Sequence, residues 1–132
     1  MTTFLQKLTF YTIVCLVLLA ARCNSTTSTS KTLVGHWQDD KTDVSTIEKQ
    51  GDQYVVVTVF DVWQTHSQNL LVSSSYSNGV LTWEYCPLAK PCLTMKTIAF
   101  HGDTLDVNWA DSNGGSGTMT LKRVPTTTYT GQ

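Results

Sequence analysis

Short runs in which apolar and polar residues alternate cover the chain from residue 33 to residue 124, and turn-forming residues separate these runs. Alternation with a period of two places apolar side chains on one face of a β-strand, and no segment keeps the 3.6-residue period of a helix over eleven positions. The pattern therefore predicts eight strands, separated by turn segments such as "SNG", "HGD" and "DSNGGSG". The predicted strands are Leu33–Asp39, Val44–Lys49, Gln53–Phe60, Leu70–Tyr76, Gly79–Tyr85, Leu93–Phe100, Thr104–Ala110 and Ser116–Val124.

The same alternation assigns a face to each strand. In the last strand Met119, Leu121 and Arg123 share one face, and polar residues occupy the other. Trp83 in the fifth strand and Trp109 in the seventh also lie on apolar faces. Short connections favour antiparallel pairing of successive strands, and eight such strands can close on themselves. We therefore predict an all-β fold, an antiparallel up-and-down meander of about eight short strands that forms a closed or half-open barrel.

A nearly unbroken apolar run of 14 residues, Leu8–Ala21, precedes the strands. Crossing the hydrocarbon core of a bilayer takes roughly 20 residues, so this run fits the apolar part of a secretory signal better than a membrane helix. We expect residues 1–23 to form a signal peptide and the protein to be exported. Residues 24–32 then form a Ser/Thr-rich tether, residues 33–124 the β-barrel domain and residues 125–132 a disordered tail.

The end of the leader leaves two alternatives open. The segment "LAAR" before Cys23 resembles the lipobox of bacterial lipoproteins, which implies a lipid on Cys23 and an anchor at the cell envelope. Arg22 stands where that family has a small residue. The alternative is cleavage after Cys23, with Ala21 and Cys23 as the small residues of the cleavage site, followed by free secretion. A lipid on Cys23 is the only contact with a membrane that we expect.

Cys86 and Cys92, in the segment "CPLAKPC", are the two cysteines that remain beyond residue 23. An even pair in an exported chain predicts a disulfide. A metal site needs further Cys or His ligands at suitable spacing, and His36, His66 and His101 show no such spacing. We expect neither a metal nor a cofactor.

The charge balance excludes one class of partner. Beyond residue 23 the chain has seven basic and ten acidic residues, a net charge of −3, and no basic cluster. Proteins that bind nucleic acid need the opposite balance, so we expect no nucleic-acid partner. Asp39, Asp40 and Asp43 form an acidic segment that we interpret as a solvated turn. No motif for a nucleophile, a phosphate loop or a pair of catalytic carboxylates occurs, so we expect no enzymatic activity.

Gly35-His36-Trp37 in the first strand of this meander, together with Arg123 in the last, resembles the calycins, the superfamily of lipocalins, avidins and fatty-acid-binding proteins. The resemblance implies a barrel whose floor is closed by Trp37, with Arg123 packed across the tryptophan ring. It also implies a small lipocalin-like domain that binds a ligand without catalysis.

Residues on the inner faces and in the loop after the third strand are candidates for lining a ligand cup. Apolar walls with a few hydroxyl groups suit a small hydrophobic molecule. The candidate ligand-binding residues are Tyr54, Thr58, Trp63, Trp83, Met95 and Trp109.

Two functions remain open at this point. The first is an exported, non-enzymatic lipocalin-like protein that binds a small hydrophobic ligand. The alternative is a secreted or surface protein-interaction module, such as an inhibitor or an envelope lipoprotein, with a packed core and no ligand. In that case the rigid Cys86–Cys92 loop is the expected contact with a protein partner.

Overall fold

The computed structural model describes residues 32–40, 43–63 and 66–126, and every regular element within them is a β-strand. The predicted leader with Cys23, nearly all of the tether and most of the tail lie outside the described residues. The nine strands are β1 Gly35–Gln38, β2 Asp43–Gln50, β3 Gln53–Asp61, β4 Ser67–Gln68, β5 Leu70–Ser77, β6 Val80–Cys86, β7 Leu93–Phe100, β8 Thr104–Asp111 and β9 Ser116–Val124.

The strands form one antiparallel sheet that curves into a nearly closed barrel. The order across the sheet is β4-β3-β2-β1-β9-β8-β7-β6-β5. The first strand therefore pairs with the last, because β1 lies beside β9. The barrel has one unsealed seam, between β3 and β5, where the Val56 backbone N–H donates to Ser74 Oγ at 2.8 Å. The predicted all-β meander is confirmed, with one addition. The two-residue strand β4 lies in the segment after the third strand, for which the sequence predicts a longer loop or one helical turn.

The "SNG" segment forms the tight turn that its sequence predicts. Asn78 and Gly79 adopt φ angles of 51° and 78°, which asparagine and glycine tolerate best, and they connect β5 to β6. Because this connection is so short, it fixes the register of the hairpin, with Tyr76 opposite Leu81.

Three β-bulges interrupt the alternation within the strands. The extra residues, which have no partner on the neighbouring strand, are Val57 in β3, Val72 in β5 and Ile98 in β7. A bulge reverses the inward and outward positions beyond it and increases the local twist, which helps short strands to close a barrel. Val72 and Ile98 are 52% and 53% exposed, so these two apolar residues lie outside the core.

A single cluster of buried hydrophobic side chains occupies the interior of the barrel. Burying this apolar surface is the main favourable contribution to folding. The inward faces predicted for β6, β8 and β9 are confirmed, since their apolar residues join the cluster. Its buried members are Trp37, Ile47, Val56, Val59, Leu81, Trp83, Tyr85, Met95, Leu105, Val107 and Leu121.

Candidate functional site

Trp37 closes one end of the barrel, which we call the floor. Its side chain is fully buried, and its indole N–H donates to the Leu33 carbonyl oxygen at 2.8 Å. The Phe100 ring meets the indole edge-on, with the ring centroids 6.0 Å apart. Arg123 Cζ lies 4.3 Å from the centroid of the Trp37 ring, within the range of a cation–π interaction. The two residues that carry the calycin resemblance are therefore in contact.

The Arg123 guanidinium also binds backbone carbonyl groups around the floor. Nη1 donates to Val34 at 2.6 Å and Nη2 to Thr32 at 2.5 Å, while Nε and Nη2 donate to Gly102 at 3.2 and 3.0 Å. The Asp103 carboxylate lies 3.6 Å from Nε. Arg123 thus joins the segment before β1 and the turn between β7 and β8 to the floor.

Gly35 provides the space for this arginine. Its φ angle is 145°, and a Cβ atom at this position would lie 2.5 Å from Arg123 Nη1. The glycine, Trp37 and Arg123 therefore form one packing unit, in which the glycine admits the guanidinium and the indole supplies the stacking surface.

The inward-facing ligand candidates of β6 and β7 belong to the core. Trp83 is completely buried and Met95 is 2% exposed, and they lie opposite each other on adjacent strands. Both side chains pack within the hydrophobic cluster, so the space that we expected to be a cup is filled at this level.

The three candidates in and after β3 lie in different surroundings. Tyr54 is half-buried, and its ring packs edge-on against Tyr76 at a centroid distance of 5.3 Å. Thr58 lies opposite Thr46 on the outer face, because the bulge at residue 57 reverses the alternation. Trp63 is 73% exposed in the loop that follows β3. None of these three residues lines the pocket at the opposite end of the barrel from the floor, and their role in binding stays a prediction.

The end of the barrel opposite the floor, which we call the mouth, carries a cavity of about 290 Å³. This mouth pocket lies where the β1–β2, β6–β7 and β8–β9 connections meet. Trp109 is the one predicted ligand-binding residue in its lining. Its apolar walls are formed by Pro87, Pro91, Leu93, Trp109 and Met119, and its polar rim by Asp39, Asp43, Lys90 and Asp111.

A larger groove of about 470 Å³ lies on the outer face of β7, β8 and β9. Polar side chains such as those of Thr94, Lys96 and Asn108 line it, together with one edge of Trp109. These polar groups are also exposed to solvent, so the mouth pocket is the better enclosed and more apolar of the two sites.

The predicted disulfide between Cys86 and Cys92 is confirmed, and it closes the loop that forms one wall of the mouth pocket. The Ser112 backbone N–H donates to the Cys92 carbonyl oxygen at 3.0 Å, which joins this loop to the β8–β9 connection. Pro87 is buried against the barrel, whereas Leu88 at the outer part of the loop is 67% exposed.

Two carboxylates of the rim hold the neighbouring backbone in place. Asp111 Oδ1 accepts the N–H groups of Asn113 and Gly115, each at 2.8 Å, and so shapes the β8–β9 connection. Asp39 Oδ1 accepts the N–H of Asp43 at 3.1 Å across the β1–β2 hairpin. The positions of these charges are therefore determined by the backbone, not by free rotation of exposed side chains.

Asp43 differs from the solvated turn residue that we expected. It is the first residue of β2, it is partly buried, and its carboxylate accepts two side-chain hydrogen bonds. The Tyr85 hydroxyl donates to Oδ2 at 3.0 Å and the Asn69 amide donates to Oδ1 at 3.1 Å. Asn69 is 3% exposed, and its own Oδ1 has no hydrogen-bond partner among the described residues.

Burial raises the pKa of Asp43 above its usual value, and the nearby charges of Asp39 and Asp61 act in the same direction. The hydrogen bonds from Tyr85 and Asn69 oppose this shift without reversing it. Burial, and then the charge of Asp43, raises the pKa of Tyr85, so its hydroxyl stays a hydrogen-bond donor at neutral pH.

Two of the histidines, at positions 36 and 101, contact polar side chains of neighbouring strand residues. His36 Nδ1 lies 3.0 Å from Thr46 Oγ1, and His101 Nε2 lies 3.2 Å from Asp106 Oδ2 on the outer surface. Within the described ranges, no three His, Cys, Asp or Glu side chains are grouped so that they could hold a metal ion. The same ranges contain no helix long and apolar enough to cross a membrane.

Comparison with protein-family models, with curated proteins and with solved structures gave no match. The barrel is compatible with a calycin-like fold, and the packing of Trp37 against Arg123 is the contact on which that likeness rests.

The raised pKa of Asp43 predicts how stability depends on pH. The folded state holds the Asp43 proton more tightly than the unfolded state, so the contribution of this residue is greatest in acid and is lost as the pH rises through the folded pKa. The free energy of unfolding of the wild type, relative to Asp43→Asn, should therefore fall between about pH 3 and pH 7 in urea titrations.

Asp106→Asn is the matched control, because the Thr120 hydroxyl and His101 lower the pKa of this exposed carboxylate. The wild type should gain stability relative to Asp106→Asn as the pH rises toward the ordinary aspartate pKa of about 4, and this difference should rise no further above it. If the stability of the wild type relative to each variant changed with pH in the same direction, the raised pKa of Asp43 would be contradicted.

Proposed function

We propose that this protein is an exported, non-catalytic binding protein of lipocalin-like architecture that holds a small molecule with an apolar body in its mouth pocket. The observation that carries the proposal is the cavity of about 290 Å³ at the mouth of an otherwise packed barrel. This volume lies near the lower end of the range of small-molecule sites, which is roughly 300–1,000 Å³.

The filled interior favours the mouth over a deep cup. Trp83 and Met95 take up the space at mid-barrel, and Trp37 and Arg123 close the floor. Entry of a ligand to this level would displace well-packed side chains, which costs several kcal/mol in typical cores. A ligand in the mouth pocket needs no such rearrangement, because Leu93, Trp109 and Met119 already line open space there.

Export and the lack of catalysis are parts of the same proposal. The Cys86–Cys92 disulfide supports an oxidising, extracytoplasmic compartment, as does the apolar leader that the sequence predicts. The choice between a lipid anchor at Cys23 and free secretion stays open. Asp39 and Asp111 use oxygen atoms to hold backbone N–H groups, which suits a structural rim better than an acid–base pair.

The proposal is tested with naphthylethanol, a neutral probe small enough for the pocket, added to the ¹⁵N-labelled oxidised protein. We expect saturable shifts of the amide resonances of Leu93, Asp111 and Met119. Trp109→Ala should weaken binding about tenfold, because it removes the aromatic wall. Trp63→Ala is the control, since this exposed tryptophan does not line the pocket and its loss should leave the affinity unchanged.

Two outcomes would contradict the proposed site. Saturable shifts confined to core residues such as Trp83 and Met95 would place the ligand inside the barrel instead. No saturable shift with millimolar probe would indicate that the mouth pocket does not hold a small apolar body.

A second candidate function, contact with a protein partner, is favoured by the exposed Leu88 on the disulfide-closed loop. Two prolines and the disulfide reduce the conformational entropy that such a loop loses on binding. Leu88→Ser should then abolish binding of a purified partner, whereas Leu70→Ser, which alters a leucine of similar exposure, should not. Equal binding by both variants would exclude the loop.

A further inference from the structure

The charges at the mouth pocket are predominantly negative. Three carboxylates, those of Asp39, Asp43 and Asp111, and one amine, that of Lys90, belong to the rim of a cavity whose walls are apolar. An apolar cavity with an excess of fixed negative charge attracts molecules that combine an apolar body with a positive charge, and it disfavours anions of the same size.

The geometry of these carboxylates makes them suited to binding a cation. Asp39 and Asp111 are oriented by backbone N–H groups, so little side-chain entropy is lost when a ligand approaches them. Lys90, in contrast, is an exposed residue of the disulfide loop. It can reach solvent, whereas the carboxylate of Asp43 lies partly buried at the edge of the core.

Asp43 and the residues that bind its carboxylate also have more hydrogen-bond acceptors than donors. Asp43 presents two carboxylate oxygens, and the adjacent Asn69 has a side-chain oxygen that lacks a partner among the described residues. The donors in this group, the Tyr85 hydroxyl and the Asn69 amide, are both directed at Asp43. An ammonium group, which has only donors, complements this arrangement.

We infer that the mouth pocket is selective for small organic cations, with the apolar body against Trp109, Leu93 and Met119 and an ammonium group among Asp39, Asp43 and Asp111. This inference rests on the proposed function, because it assigns a ligand class to the same pocket. The groups that face Asp43 from the packed elements, namely Asp39, Asp61 and Tyr85, add no positive charge that would cancel the effect.

The test compares three probes that share one aromatic body: naphthylethylamine, naphthylethanol and naphthylacetate, which are cationic, neutral and anionic at neutral pH. Affinities for the oxidised protein are measured by calorimetry and by amide shifts. The amine should bind about tenfold more tightly than the alcohol, and the carboxylate more weakly than either. The preference for the amine should decrease as salt is added, because part of it is electrostatic attraction at an open rim.

Four single substitutions test which charges produce the preference for the amine. Asp111→Asn and Asp43→Asn keep a side-chain oxygen as hydrogen-bond acceptor but remove the charge, and each should reduce the preference for the amine about three- to tenfold. Lys90→Gln should increase it, and this exposed residue can be changed without disturbing the core. Asp106→Asn, which removes a carboxylate on the outer surface away from the pocket, should leave the preference unchanged.

The outcomes separate this inference from the proposed function. If all three probes bind in the pocket with similar affinity and the Asp variants have no effect, the charge selectivity is overturned while the mouth pocket remains a ligand site. If the amine shifts only residues outside the pocket, the charge selectivity is overturned. If none of the three probes shifts Leu93, Asp111 or Met119, both proposals are overturned.

Discussion

Replacing Trp37 by alanine is expected to lower the free energy of unfolding by about 3–5 kcal/mol. The indole is one of the two largest fully buried side chains among the described residues, with that of Trp83, and its removal leaves a cavity at the floor that the surrounding strands can fill only in part. The substitution also removes the partner of the Leu33 carbonyl oxygen and the ring that lies below Arg123. The Arg123 guanidinium then has no ring to stack on, which lowers the free energy of unfolding further.

Chemical denaturation of the oxidised protein measures this loss, and another tryptophan is its control. Trp63→Ala removes the same side chain from a position that is 73% exposed, so its effect should stay within about 0.5 kcal/mol. A loss below about 1.5 kcal/mol for Trp37→Ala would contradict the role of the tryptophan as the plug of the floor, because cavities of this size cost more.

The arrangement of strands could be predicted because each strand has one buried face. In β6 and β8, for example, alternate residues such as Leu81 and Val107 enter the core, and the period of two is visible in the sequence. The bulges were not predicted, since the extra residues Val72 and Ile98 are β-branched and apolar like the residues of a buried face. The backbone geometry that exposes them leaves no signal in residue type.

The contact between side chains at the floor could be predicted from the sequence, whereas the mouth pocket could not. The contact between Trp37 and Arg123 followed from a family resemblance and from the parity of β9, in which Arg123 shares a face with Leu121. The mouth pocket, by contrast, is assembled from several separate connections. The hydrogen bond between Tyr85 and Asp43 joins residues 42 positions apart, and an aspartate at the end of a hairpin is more often solvated.

The sequence alone could not decide which of the candidate ligand-binding residues line a pocket. An inward-facing aromatic residue in a small barrel can line a cup or fill it, and both roles select the same residue types. Trp83 fills the interior, whereas Trp109, two strands away, lines the mouth pocket. The distance of each residue from the open end decides between these roles, and that distance depends on the register of the strands.

Replacing Arg123 by methionine is expected to lower the free energy of unfolding by about 2–4 kcal/mol. The change removes the cation–π contact and the charge-assisted hydrogen bonds to the carbonyl groups of Val34, Thr32 and Gly102. Methionine keeps much of the aliphatic contact with the indole, so the loss reports mainly on the guanidinium. Lys122→Met, at the exposed neighbouring position, should have an effect within about 0.5 kcal/mol.

A double-mutant cycle tests whether the floor acts as one unit. Trp37→Leu removes the aromatic ring and the indole N–H but keeps a large apolar side chain at the floor, so it is combined with Arg123→Met in the oxidised protein. Because the two side chains are in direct contact, the summed losses of the single variants should exceed the loss of the double variant by about 0.5–2 kcal/mol. Additive losses would show that Trp37 closes the floor by its volume alone. In that case Arg123 would stabilise the barrel only through the carbonyl groups that it binds, and the signature shared with the calycins would consist of two independent features.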